Sequence, residues 1–192
     1  MYIIANTEKH REKFMATWQK IAKSRQLPIS SLHDDSEAFI LQDKDGRDVG
    51  TLEFVPCSSS EQDIDLIDIS DQPIILENLA YSYQVRKMGI SKESTSKKVL
   101  LDLLKLAATH AKEKKVRFYL SYLEKRHYEK LTEQFKFRID LVGEEVKVGK
   151  KVLVPALIDV DDAITNTQGY PLHIKSIVYM VRGTKKVKSL FA

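Results

Sequence analysis

Residues 38–55 read AFILQDKDGRDVGTLEFV, two runs of β-forming side chains on either side of a polar Asp-Lys-Asp-Gly. Gly46 supplies the positive φ that a tight turn needs, so the stretch is expected to be a β-hairpin. It commits the first third of the chain to a sheet. Upstream, Phe14, Trp18 and Ile21/Ala22 recur at i, i+4 and i+7/8, one apolar stripe of a helix running from about Glu8 to Ser24. Thr7 stands where an N-cap belongs. Pro28 ends the helix, the polar run SSLHDDSE is a loop, and Met1–Ala5 is a short β-like run.

Downstream of the hairpin, residues 56–72 are polar, serine-rich and acidic, the composition of a loop. Residues 74–90 (IILENLAYSYQVRKMGI) are expected as one long strand with a break or bulge, in which Glu77, Ser82, Gln84 and Arg86 alternate with Tyr81, Tyr83 and Val85. A helix from about Ser96 to Lys115 carries Val99, Leu100, Leu103, Leu104 and Ala107 on one face. There follow a strand (116–123), a shorter helix (124–135), β-type runs to Val148, a turn at Gly149, a run over 151–160 and a final apolar run over 172–181. The order β-α-β-β-β-α-β-α-β-β implies an α/β domain with a mixed sheet.

Composition removes several function classes. The chain has 192 residues, 43% of them hydrophobic and 30% charged, enough for one buried core and an ordinary charged surface. No apolar run approaches the ~20 residues of a membrane span, and the first residues lack the basic-then-apolar order of a signal peptide. One cysteine, Cys57, excludes an internal disulfide and fits a reducing, cytoplasmic setting. The formal charge of +4 is spread over stretches such as KEKKVR and YLEKRHYEK with acids interleaved, not gathered with aromatic partners, so a nucleic-acid ligand is not expected. The five histidines are dispersed without metal-ligand spacing, and no metal is expected. His127 reads as a surface histidine and Cys57 as incidental. Nucleophile-elbow, P-loop and zinc-protease signatures are missing.

What remains is residues 88–107, MGISKESTSKKVLLDLLKLA, where a strand end enters a helix through a polar turn. Backbone N–H groups and the helix dipole make such a place an anion site. Ser94, Thr95 and Ser96 add hydroxyls, and Lys97 and Lys98 put cations where the dipole disfavours them, which a bound polyphosphate would explain. The alternative is that Ser94 or Ser96 simply caps the helix.

From Gln84 to Val160 the order of elements and several local patterns resemble the GNAT (N-acetyltransferase-like) superfamily. QVRKMGI resembles its central strand, SKESTSKKVLLDLL stands at its pyrophosphate loop and following helix, VRFYLSYL at its next strand, and LEKRHYEKLTEQFKF at its closing helix. The turn lacks the superfamily's glycines, and with the tail LVGEEVKVGKKVLVPALIDV it resembles the acyl-homoserine-lactone synthase branch. The resemblance implies a single GNAT-like domain over 1–192 with a central mixed, twisted sheet and helices on both faces. Residues 1–60 would be its N-terminal helix and hairpin, 75–160 its cofactor-binding core and 161–192 a C-terminal strand region. It further implies transfer of an acyl group from acyl-CoA, acetyl-CoA included, or from acyl-carrier protein to an amine, in a chain that could pair as a homodimer. The thioester carbonyl would be polarised by backbone near Met88, Gly89 and Ile90, and the phosphates held by Ser94, Thr95, Ser96 and Lys97. The family's base aligns with Gln84, which accepts a proton poorly, so Glu77 is the substitute. The family's acid tyrosine aligns with Thr132, so Tyr128, one helical turn earlier, is the substitute. Both departures keep open a catalytically silent domain that binds acyl-CoA or a protein.

Overall fold

The computed structural model describes residues 1–58, 67–94, 97–134 and 136–165. The chain opens with β1 (Tyr2–Ile4) and α1 (Glu8–Arg25), then forms the hairpin β2 (Glu37–Gln42) and β3 (Asp48–Pro56). The Thr7 side chain caps α1 by accepting from the His10 N–H, and Gln26 closes it in the left-handed region at φ 55. Gly46 turns the hairpin at φ 77, and the strands pair from Glu37↔Phe54 to Gln42↔Asp48. Both features lie where the sequence pattern puts them.

Residues 74–81, expected in the long strand, instead fall in α2 (Pro73–Leu76) and a single 3₁₀ turn, Leu79–Tyr81. Pro73, with no N–H to lose, sits in the first turn of α2, and only Ile75 of that helix is buried. The strand itself, β4, runs from Ser82 to Ile90. It leads through a 3₁₀ turn, Lys92–Ser94, into α3 (Lys97–Glu113). Then come β5 (Phe118–Glu124), α4 (Lys125–Glu129) with a π turn over Lys130–Gln134, β6 (Ile139–Leu141), β7 (Val146–Val148), β8 (Lys151–Asp159) and α5 (Val160–Thr165). Residues 161–165, placed by the sequence in a C-terminal strand region, are thus part of a helix. The apolar run 172–181 lies outside the described residues.

The strands form one mixed sheet in the order β1-β2-β3-β4-β5-β8-β6, with β7 paired to β8. β4 and β5 are parallel and every other pair is antiparallel. Helices cover both faces, as the alternation along β2 makes plain. Ala38 and Ile40 pack with Phe14, Trp18, Ile21 and Ala22 of α1, whereas Phe39 and Leu41 pack with Val99, Leu103 and Leu106 of α3. Side chains two apart share a face of a strand, so a strand buried along nearly its whole length has to be covered on both sides. Among the described residues no helix is long and apolar enough to cross a membrane.

Candidate functional site

The site follows from where one strand pair stops. β4 and β5 pair only at Ser82↔Phe118, Tyr83↔Tyr119 and Gln84↔Leu120, although β4 runs on to Ile90 and β5 to Glu124. Past Gln84 each strand follows its other, antiparallel neighbour. β4 stays on β3 as far as Gly50↔Ile90, and β5 stays on β8 as far as Glu124↔Leu153. Backbone groups freed at the fork need partners, and the Ser121 hydroxyl donates to the Val85 carbonyl at 3.1 Å.

A cavity of about 330 Å³ opens in this fork. Val85, Arg86, Lys87 and Met88 form its β4 wall, and Ser121, Tyr122, Leu123 and Glu124 its β5 wall. Trp18 and Arg25 of α1 close it on one side together with Leu27, Pro28 and Ser30 of the following loop. Val146, Val148 and Leu153 from the β7–β8 hairpin give an apolar side, and His127 stands at the start of α4.

A β-bulge shapes the β4 wall. The register against β3 shifts between Thr51 and Glu53, and Lys87 takes φ 42, in the left-handed region that non-glycine residues enter uncommonly. The residues around it are buried. The Thr51 hydroxyl donates to the Lys87 carbonyl at 2.7 Å, and the Lys87 ammonium donates to Glu53 Oε2 at 2.7 Å. Glu53 is 0% exposed; its other oxygen accepts from the His33 backbone N–H at 2.9 Å, and Arg86 Nε lies 3.8 Å from Oε2. Arg86 also donates to the Ser30 hydroxyl at 3.1 Å. One carboxylate therefore ties β3, the β4 bulge and the loop after α1 together behind the cavity.

At the rim, Glu124 accepts from Lys151 on Oε1 and from Arg126 Nε, at 2.7 Å, on Oε2. Burial works to raise its carboxyl, but the bond to Lys151 and the charges of Lys151, Arg126 and His127 hold it below the usual carboxylate range. The His127 imidazole is held below its ordinary value by burial, against the pull of Glu124 and with the push of Arg126, Arg25 and Lys151.

The residues singled out from the sequence fall in several places. Met88 lines the cavity and is 40% exposed. Gly89 is buried: a Cβ there would lie 2.7 Å from Ile21 Cγ2, so its lack of a side chain lets α1 approach the sheet. The Ile90 carbonyl accepts from Arg25 at 2.7 Å. The Ser94 N–H donates to Ser91 O at 3.1 Å. Thr95, Ser96 and the Lys97 side chain lie outside the described residues, while the Lys97 backbone starts α3. Gln84, buried on β4, accepts from the Ile67 N–H at 2.7 Å and donates to Ile67 O at 3.0 Å, which staples that segment to the sheet. Glu77 is not on the strand at all; it caps the C-terminus of α2 and is exposed. Tyr128 packs with Leu123, Ile139 and Val154. None of these three lines the cavity. Cys57, its thiol pushed up to about 12 by burial, is no nucleophile near neutral pH.

Sequence reasoning missed Glu53, Lys87, Glu124 and His127 as parts of a site. The available signal was Glu53 itself, a charge inside TLEFV with apolar neighbours on both sides. Among the described residues, no group of three His, Cys, Asp or Glu is placed to hold a metal.

No family model matches the chain, and no curated protein sequence does. Solved structures match it over most of its length. FeeM, an N-acyl amino acid synthase from uncultured soil microbes, superposes with a TM-score of 0.66 at 10% identity, covering 88% of this chain and 94% of that one. BjaI, a CoA-dependent acyl-homoserine lactone synthase, gives 0.61 at 11% identity over 95% and 89% of the two chains. A putative phosphinothricin N-acetyltransferase gives 0.52 at 12% identity over 83% and 97%. At such identities the likeness establishes the fold, and the fold is GNAT-like, as the sequence resemblance implied.

Proposed function

We propose that the protein is an N-acyltransferase that moves an acyl group from a thioester to an amine inside the β4–β5 fork. The observation that carries this is the cavity itself: it opens where two parallel strands part, with an apolar side on the β7–β8 hairpin and a polar side on β4 and α1. An acyl chain suits the first, and the thioester and the amine suit the second. The similarity of the backbone to acyl-transferring proteins, among them an N-acyl amino acid synthase and a CoA-dependent acyl-homoserine lactone synthase, supports the same chemistry. Backbone N–H groups near Met88, at the bulge, would polarise the thioester carbonyl. In this proposal acyl-CoA is the donor, with its phosphates at the Ser94–Lys97 turn; acyl-carrier protein is the alternative donor.

A thermal-shift titration with CoA, acetyl-CoA and a long-chain acyl-CoA tests the donor. A ligand that binds only the folded state raises the melting temperature with occupancy. A dose-dependent rise is expected, and Ser96→Asp is expected to abolish it by setting a carboxylate against the phosphates. No rise with any thioester, together with no thiol release from acyl-carrier protein thioesters, would overturn the proposal. An unchanged rise in Ser96→Asp would remove only the phosphate assignment.

A further inference from the structure

A transferase of this kind needs a group in the cavity that can take a proton from the attacking amine, and the cavity wall narrows the choice. Its ionisable side chains are Arg25, Arg86, Lys87, Tyr122, Glu124 and His127. Arginine stays protonated in proteins, and Lys87 donates into the buried pair with Glu53. A tyrosine phenol is protonated near neutral pH and accepts no further proton usefully. Glu124 has both oxygens engaged, one by Lys151 and the other by Arg126. His127 is the lining residue left with proton-accepting capacity near neutrality.

Its position suits the task. His127 is the third residue of α4, three past the end of the β5 wall, at the rim where a proton can pass on to solvent. The charges that act on it come from four elements: Glu124 on β5, Arg126 on α4, Arg25 on α1 and Lys151 on β8. Three cations against one carboxylate disfavour a positive charge on the ring and keep a lone pair available.

We propose that His127 is the general base of the acyl transfer. This rests on the acyl-transfer function proposed above. The amine nitrogen attacks the thioester carbonyl carbon and forms the C–N bond while an imidazole nitrogen takes one N–H proton. The tetrahedral intermediate then collapses, the C–S bond breaks, and the imidazolium returns its proton to the departing thiolate. An amide and a free thiol leave with no net change in protons or electrons.

The test uses the full chain, acetyl-CoA and octanoyl-CoA as donors, and the amino acids and small primary amines as acceptors, with thiol release as the readout. With His127→Gln, kcat is expected to fall by about 100-fold or more, while KM for the thioester and the thermal shift it produces stay within about twofold. The wild type is expected to show an acidic limb in kcat/KM below the ordinary histidine value, and that limb should vanish in the variant. The limb set by the acceptor amine, at higher pH, should persist in both proteins. Added 4-methylimidazole should restore part of the rate in His127→Gly. A variant kcat within about threefold of wild type, or an acidic limb that survives in His127→Gln, overturns His127 as base and leaves the acyl-transfer function standing. No thiol release by the wild type with any pair, despite bound donor, overturns the transfer itself and the base with it.

Discussion

The two faces of the central sheet bury polar groups in opposite ways. Toward α3, His110 lies flat on Phe54, with ring centroids 3.8 Å apart and planes 6° apart. Its Nδ1 is 2.7 Å from the Tyr119 hydroxyl, which donates onward to the Ala107 carbonyl at 3.1 Å. Burial pushes the imidazole down to about 4, so His110 and Tyr119, buried on this face, are neutral near pH 7. Toward α1 and the cavity, Glu53 sits with the charged Lys87 and Arg86 in a pocket just as dry. The closed face has nothing to position and minimises charge. The open face has a strained bulge to hold at Lys87, and an ion pair in low dielectric does that with a directional, strong contact.

The largest expected effect tests the ionic side. Glu53→Gln keeps the volume and the acceptor for His33 N–H but removes the charge between two buried cations. About 3–5 kcal/mol of stability should be lost, read as a shift of the urea midpoint at constant m. A loss under about 1 kcal/mol would mean that Lys87 and Arg86 do not depend on Glu53, and the contrast between the faces would fail.

The neutral side is tested by acid. The unfolded chain binds a proton at His110 near pH 6.5, whereas the folded chain does so only near pH 4. Between those values the unfolded state holds more protons, so stability falls as pH drops through that window. The gap between the two values corresponds to about 3 kcal/mol across the whole window. Protonation would also leave a buried Nε2–H with no hydrogen-bond acceptor among the described residues. His110→Phe, which preserves the stack on Phe54, should flatten that part of the stability–pH curve. An unchanged slope in the variant would show that the acid sensitivity comes from elsewhere.

A smaller effect is expected at Gly89, where α1 closes on the cavity face. Gly89→Ala brings a methyl to within 2.7 Å of Ile21 Cγ2, the end of a side chain that can give way only by disturbing its contacts with Phe14 and Trp18. About 1–3 kcal/mol of destabilisation should follow, with a lower melting temperature and no change in the acid slope assigned to His110. A neutral variant would mean that α1 rides on the sheet more loosely than Glu53 and Arg86 require.

Much of this architecture could be read along the chain. The hairpin at Gly46, the stripe Phe14–Trp18–Ile21 of α1, the helix with Val99 and Leu103 on its buried face, and most of the order of elements are local patterns with periods of 2 or 3.6 residues, although Leu100, read onto that helix face, is exposed and Leu106, not read onto it, is buried. Such patterns report which face of an element is buried before any partner is known. The turn after β4 was legible for the same reason. Residues 74–81 misled because Ile74, Leu76 and Tyr81 are apolar yet exposed, and composition alone does not separate a surface helix turn from a strand.

The cavity has no local signature. It exists because β4 and β5 share three residue pairs and then obey different neighbours, β3 and β8, contacts between residues far apart in sequence. The same holds for the side chains around it. Gln84 looked like a misplaced catalytic base until Ile67 folded over it, and His127, read as a surface histidine and indeed exposed, meets Arg25 and Lys151 only because α1 and β8 bring them to the same rim. Periodicity encodes burial one element at a time. The meeting of a base, a bulge and an apolar wall depends on which strands part company, and that is a property of the assembled sheet.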